Sequence, residues 1–360
     1  MQHNLLAISP RLPRILIPPE SLLRLSQMAE SLPQISDILL EMRLGNDCRV
    51  DFSIPLVASQ SNLGSFRIED GDTSKVQTLS PSFLSSPAFR HYLAILDTND
   101  AFRYSDPDHI FENRQDAISK YAPVKRFWLE FDVQDGEAGS STPAFGIEVD
   151  DLPPQDDKFL VLWALDLLSD FGVDGNSLGL GSPNRLPESL IENLKMCTRA
   201  LPSTAKIIFI GANPSVRNDA LRLIIDGLPP CDITGYLLRI GWSGAAEELG
   251  ELIASLARLV DNIVLSFNIG EVVFPRIGLE CYFIDPPHVG DRWKLFMDYL
   301  VETNLCSPAK GRALLSWSEM DKAGAFERFT VCTKIVHESD KVLEAKAYLG
   351  LWSTDASIQE

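Results

Sequence analysis

The sequence predicts an α/β protein of the α+β type, in which about five strand pairs separated by helices share one apolar and one polar sheet face. Two observations carry this. Five times two strand-like runs sit next to each other, and in four of the five pairs one face bears charged or hydroxyl side chains. In the last pair Phe329, Val331, Thr333 and Ile335 alternate with Arg328, Thr330, Cys332 and Lys334, and Ala345, Ala347, Leu349 and Leu351 alternate with Glu344, Lys346, Tyr348 and Gly350. Period-two alternation of this kind marks a sheet with one buried and one wet face. The second observation is that the stretches between the pairs read as amphipathic helices, which must bury their own apolar stripes. The helices therefore cover the apolar sheet face and leave the polar face lining something.

The elements follow in order. After a proline-rich leader over 1–18, Pro19-Glu20-Ser21 opens a helix through about Leu32. The first strands run over about 37–44 and 48–57 and turn through Gly45-Asn46-Asp47. Residues 58–86, rich in Ser, Gly, Asp and Thr, read as a long surface excursion. Helical patterning resumes near Pro87 and at 108–120, and the second pair occupies about 125–133 and 143–149. Helices at about 156–171 and 187–200 flank the glycine-rich connector GVDGNSLGLGSP. The third pair, 207–212 and 233–241, is apolar on both faces with a helix-like 217–227 between, which spells a parallel crossover. A helix at 244–260 leads to the fourth pair, 263–270 and 274–284, then helices at about 290–304 and 308–317. The fifth pair, 326–337 and 342–352, closes the pattern. No linker splits the chain, so 19–360 reads as a single domain.

Composition narrows the partners. The 360 residues carry 50 acidic against 32 basic side chains, a formal charge of −18, with no Lys/Arg-rich block. A nucleic-acid or anionic-membrane surface is thereby disfavoured, and an anionic ligand would need a local basic pocket. The six cysteines (Cys48, Cys197, Cys231, Cys281, Cys306, Cys332) contain no C-x-x-C and read as reduced thiols. The N-terminus is broken by Pro10, Pro13, Pro18 and Pro19, so it forms no signal-peptide core of ordinary length. No run approaches the roughly 20 apolar residues of a membrane helix. These features predict a soluble, cytoplasmic protein whose partner is a small molecule or a peptide.

Five strand pairs separated by helices, together with Lys346-Ala347-Tyr348, resemble the αββα-repeat barrel of the ABBA-type aromatic prenyltransferases. The resemblance runs over the whole chain, in element order and face polarity rather than extended identity. It implies an antiparallel barrel or strongly curved sheet with helices outside, enclosing a polar lumen where an isoprenyl diphosphate meets an aromatic acceptor. It further implies that lumen-facing Lys, Arg and Tyr hold the diphosphate, here Lys346 and Tyr348 with Arg276, Tyr282, Arg328 and Lys334.

The residues themselves admit more than one reading. Lys346 and Tyr348 stand at i and i+2, so ammonium and phenol project side by side about 7 Å apart, within reach of one diphosphate. Lys and Tyr are equally ordinary on a solvent-facing edge strand. On FWLEFDV the residues Trp128, Glu130 and Asp132 share a face that Glu148 and Asp150 can oppose, which demands a cation, an arginine or a raised carboxylate pKa, or else a solvated surface. The resemblance makes Glu130 a candidate base for the acceptor's proton and Trp128 a wall for the isoprenyl chain. The doublets Asp150-Asp151 and Asp156-Asp157 invite a Mg2+-diphosphate site, but they lack i, i+4 spacing and read better as a loop favouring the next helix N-terminus. No metal ligand is assigned, and Mg2+ is the one cofactor left open.

A rival signal is Gly241-Trp242-Ser243-Gly244-Ala245, placed like a nucleophile elbow, with Asp285, His288 and His337 downstream. Ser243 is also well placed to cap the following helix. The histidines show no metal-ligand spacing, and the glycine-rich connector matches no dinucleotide or Walker motif. The sequence thus points to transfer of an isoprenyl group to an aromatic small molecule or peptide. A non-catalytic peptide- or metabolite-binding accessory protein of a biosynthetic pathway, or a serine hydrolase using Ser243, would be the alternatives.

Overall fold

The computed structural model describes residues 12–30, 38–56, 124–131, 144–149, 187–213, 217–284, 291–317, 326–338 and 344–353. The excursion expected at 58–86, the helices expected near Pro87, at 108–120 and at 156–171, and the glycine-rich connector lie outside these residues.

Among the described residues ten strands form one closed antiparallel barrel. They are β1 (Ile38–Arg43), β2 (Val50–Leu56), β3 (Val124–Phe131), β4 (Ala144–Val149), β5 (Lys206–Asn213), β6 (Arg217–Asp226), β7 (Asn262–Ile269), β8 (Val273–Tyr282), β9 (Phe326–His337) and β10 (Glu344–Ser353). Each pairs with its neighbours in sequence, and β1 pairs with β10 to close the ring. Closure removes every sheet edge, so each described strand can bury one face and turn the other inward. Of the two forms implied, barrel and curved sheet, the chain takes the barrel.

Alternation sets the two faces. On β1 Ile38, Leu40 and Met42 are buried and alternate with Leu39, Glu41 and Arg43. Leu221, Leu223 and Ile225 on β6, and Ile277, Leu279 and Cys281 on β8, belong to the same outer apolar layer. On β2 and β3 the register partners Phe52 and Phe131 stack with ring centroids 4.7 Å apart.

Helices complete this layer: α1 (Pro19–Glu30), α2 (Glu188–Arg199), α3 (Pro230–Arg239), α4 (Ala246–Leu256), α5 (Asp291–Glu302) and α6 (Pro308–Trp317). Each of four buries a stripe at helical spacing: Leu190, Leu194 and Cys197 on α2, Ile233, Tyr236 and Leu237 on α3, Leu249, Leu252, Ile253 and Leu256 on α4, and Trp293, Phe296, Met297 and Leu300 on α5. Tyr236 packs edge-on to Phe267 of β7 and donates its hydroxyl to the Cys197 carbonyl at 3.1 Å, locking α3 to the barrel and to α2. The end of the leader is not loose, since Leu12, Leu16 and Ile17 are buried in the same core. All six cysteines are free thiols, Cys48 and Cys231 exposed and the other four buried.

One pair departs from the sequence reading. Residues 217–226 form β6, not a helix, and 230–239 form α3, not a strand. The third pair is therefore an antiparallel hairpin, Ile210 opposite Leu223 and Gly211 opposite Arg222, rather than a parallel crossover. Leu221, Ile224 and Ile225 suit helical spacing, but Leu221, Leu223 and Ile225 suit strand spacing equally, and the neighbouring strands decide. Pro230 at the first turn of α3, with Asp232 behind it, is the helix-start signal that favours the observed assignment.

Candidate ligand-binding lumen

The inward faces enclose a cavity of about 300 Å³. Glu130 of β3, Arg276 of β8, Lys334 of β9 and Lys346 of β10 all line it, as does Tyr348. Side chains from three separate strand pairs thus share one concavity, which local strand geometry does not by itself require.

At its floor stand two similar clusters. Lys346 Nζ lies 2.5 Å from Glu41 Oε1, and the Tyr348 hydroxyl donates to the same carboxylate. Lys334 Nζ lies 3.2 Å from Glu280 Oε1 and 2.9 Å from Ser266 Oγ, while the Tyr282 hydroxyl donates to Glu280 Oε2 at 3.2 Å. Each is a lysine and a tyrosine converging on one glutamate. Register places them side by side: Lys334 is the partner of Lys346 on β10 and of Glu280 on β8, and Glu41 is the partner of Tyr348. Burial alone would raise the Glu41 carboxyl, but the Lys346 ammonium, the Tyr348 hydrogen bond and Lys334 together hold it down to about 2. The same burial, with Glu41 or Glu280 nearby, pushes the Tyr348 and Tyr282 hydroxyls far above the usual phenol range, so both remain donors. Cys332 joins the second cluster through Tyr282, its thiol pushed well up by burial and by Glu280. Gly278 makes room for it, because a Cβ there would stand 2.2 Å from Lys334 Cε.

Higher in the lumen Arg222 Nη1 meets both Glu130 oxygens, at 3.0 and 2.7 Å. Glu130 beside it raises the guanidinium pKa against the effect of burial. Glu148, expected to crowd Glu130, pairs in register with Arg126 instead and accepts the Trp128 indole N–H at 3.1 Å. An arginine therefore supplies the compensation that the acidic face demanded; Asp132 and Asp150 lie outside the described residues. At the mouth Arg276 contacts Glu344 at 2.5 Å, and Arg43 lies within 4.0 Å of both Asp51 and Glu344. The turn behind Arg43 is pinned by Lys310, whose ammonium donates to the carbonyls of Arg43 and Asp47 at 2.7 and 2.5 Å.

The other expected residues fall elsewhere. Arg328 is on β9 opposite Leu351, with its side chain outside the described residues. Ser243 does not cap α4: the N-cap is Ala245, which makes no side-chain cap bond, and Ser243 is exposed two residues earlier. Gly244 folds so closely onto the Trp242 indole that a Cβ there would stand 2.0 Å from it, which carries Ser243 away from the helix end. His337 packs against Trp242 with ring centroids 6.4 Å apart, while Asp285, His288 and both aspartate doublets lie outside the described residues. Among the described residues no group of three or more His, Cys, Asp or Glu side chains could hold a metal ion. No helix among them is long and apolar enough to cross a membrane.

Sequence reasoning missed Glu41, Glu280 and Arg222. Glu41 and Glu280 carried a signal, each being the lone acid on its strand. Arg222 was hidden by the helical reading of β6.

No model of a known protein family matches the sequence, and no curated protein is recognisably similar to it. Solved structures with a similar course include the prenyltransferase PriB in its apo form, at 13% identity over 99% of this chain and 94% of that one, TM-score 0.48. The 5-dimethylallyltryptophan synthase from Streptomyces coelicolor is 11% identical over 99% of this chain and 96% of its own, TM-score 0.46. PriB in ternary complex with L-tryptophan and dimethylallyl thiolodiphosphate is 12% identical over 99% and 94%, TM-score 0.46. The barrel itself is established by this chain's own strand pairing.

Proposed function

We propose that the lumen binds a small molecule and that the reaction is transfer of an isoprenyl group from a diphosphate donor to an aromatic small molecule or peptide. The observation that supports this reading is the convergence of Lys334, Lys346, Arg222 and Arg276 from four strands on one cavity in an otherwise acidic chain. In this reading Lys334 and Lys346 meet the diphosphate and stabilise the charge that grows on it as the allylic carbon–oxygen bond breaks. The acceptor ring attacks the allylic cation, and Glu130 takes the ring proton, exchanging one of its Arg222 contacts to do so. Tyr348 and Phe209 line the cavity and keep water from the cation. Magnesium, if the donor brings it, would neutralise diphosphate charge; no step here is assigned to it.

A second reading has its own support. Lys334, Lys346, Arg222, Arg276 and Arg43 each already carry a carboxylate partner, a balance that suits a metabolite- or peptide-binding accessory protein. Incubating the protein with five-, ten- and fifteen-carbon isoprenyl diphosphates and a panel of indole, phenol and peptide acceptors separates the two. An isoprenyl mass increment on an acceptor supports transfer. Lumen binding without any transfer, in the presence or absence of Mg2+, would assign the accessory role.

A further inference from the structure

We infer that Glu41 and Glu280 are built-in competitors for the lumen's anion site: they occupy Lys346 and Lys334, and an anionic ligand of the phosphate or diphosphate class binds by displacing them. The inference rests on the proposed reading only in the chemical class of the ligand.

The geometry is specific. Lys334 and Lys346 are direct register partners on one face of the β9–β10 ladder, an arrangement that repels unless anions intervene. Two carboxylates intervene, one from each flank: Glu41 from β1 and Glu280 from β8. The side chains of these pairs are only 9% to 18% exposed, so water screens them little. A diphosphate seated between the lysines would ask the same ammonium protons for hydrogen bonds. It would also bring negative charge beside two carboxylates in a poorly solvated space, so the lysine contacts must be exchanged rather than shared.

The tyrosines make the exchange reversible. Tyr282 donates to the Glu280 oxygen that Lys334 does not hold, and Tyr348 donates to Glu41, so a displaced carboxylate keeps one hydrogen bond and its place. The surroundings determine its charge. Glu41 faces Lys346 and Tyr348 of β10, Lys334 of β9 and Arg222 of β6, with Asp51 of β2 as its other register partner. Glu280 faces Lys334 and Cys332 of β9, Tyr348 of β10, and Tyr282 and Cys281 on its own strand. With Lys346 engaged elsewhere, burial favours the protonated Glu41 acid, and ligand binding there takes up a proton.

Calorimetric titration of the full chain with inorganic pyrophosphate tests this, using wild type, Glu41→Gln, Glu280→Gln and the double variant, each checked for folding by thermal melting. Each single substitution is expected to tighten binding about tenfold, and wild-type heats in buffers of different ionisation enthalpy should show proton uptake. Adding Lys346→Ala to Glu41→Gln should remove the gain. Because the two carboxylates lie on different strands, Glu280→Gln tests the idea if Glu41→Gln does not fold. Unchanged or weaker binding by a folded glutamine variant would overturn the inference and leave the transfer reading standing. Pyrophosphate binding by the double variant but not the wild type would support it while counting against a free diphosphate donor. Absence of binding in all four proteins would remove the anion site altogether.

Discussion

Arg222 of β6 holds both carboxylate oxygens of Glu130 of β3 across two intervening strands. The span is possible because the positions between carry almost no side chain. Glu130 stands opposite Ala144, Gly146 opposite Gly211, and Gly211 opposite Arg222. The contact ties the second strand pair to the third inside the lumen, where backbone pairing alone would link them only through β4 and β5.

This pair should behave as a coupled unit. Arg222→Gln and Glu130→Gln are each expected to lower stability by about 1 kcal/mol, since either leaves a half-buried charge with a lost partner. The double variant should lose less than the sum, with a coupling energy on the order of 0.5–1 kcal/mol. Urea unfolding of the four proteins measures it, and strict additivity would show that the side chains do not interact in solution.

Lys346 calls for a different expectation than its strand pattern suggests. Were it a lysine on a wet surface, Lys346→Ala would leave the melting temperature nearly unchanged. Its ammonium is 2.5 Å from a Glu41 carboxylate in a pair whose side chains are 14% and 18% exposed, so truncation strands a poorly solvated anion. The variant should lose about 1–3 kcal/mol as well as pyrophosphate affinity. A melting temperature equal to wild type would place the pair in solvent.

The fold was legible because the strands announce their faces. Period-two alternation on β9 and β10 separates Lys334, Lys346 and Tyr348 from Ile335, Ala345 and Ala347, and no helical packing imitates that pattern over so many residues. The third pair was not legible because β6 carries Leu221, Leu223, Ile224 and Ile225, which satisfy both periods. Only its partners β5 and β7 settle the choice. That ambiguity hid Arg222, the residue that explains why Glu130 is tolerated in the lumen. The lysine partners were harder still: alternation says which side chains face inward, whereas the meeting of Glu41 with Lys346 follows from barrel closure between β1 and β10, a contact 305 residues apart in sequence.

Ser243 offers a direct check on a reading the structure corrects. It was expected to cap α4, and loss of a cap costs about 1 kcal/mol. With Ala245 at the N-cap and Ser243 exposed, Ser243→Ala should change stability by less than about 0.5 kcal/mol. It should also leave any activity unaltered, and a fluorophosphonate probe should not label the wild-type residue. Covalent labelling at Ser243 would restore the hydrolase.

Acid titration reads the state of Glu41. Its carboxyl is held at about 2 against an ordinary value of 4.5, so the folded protein favours the ionised form more than the unfolded chain does. A depressed folded-state pKa contributes stability that is fully present above the unfolded value and is lost as pH falls through the folded one. The contribution is on the order of 3 kcal/mol at neutral pH and should disappear between about pH 4.5 and pH 2. Glu41→Gln has no such titration. Urea midpoints for wild type and variant should therefore lie farthest apart near pH 6, with wild type the more stable, and draw together as the pH approaches 2. A separation that stays constant across that range would mean that Glu41 does not feel Lys346, and both the ion pair and the competition built on it would have to be abandoned.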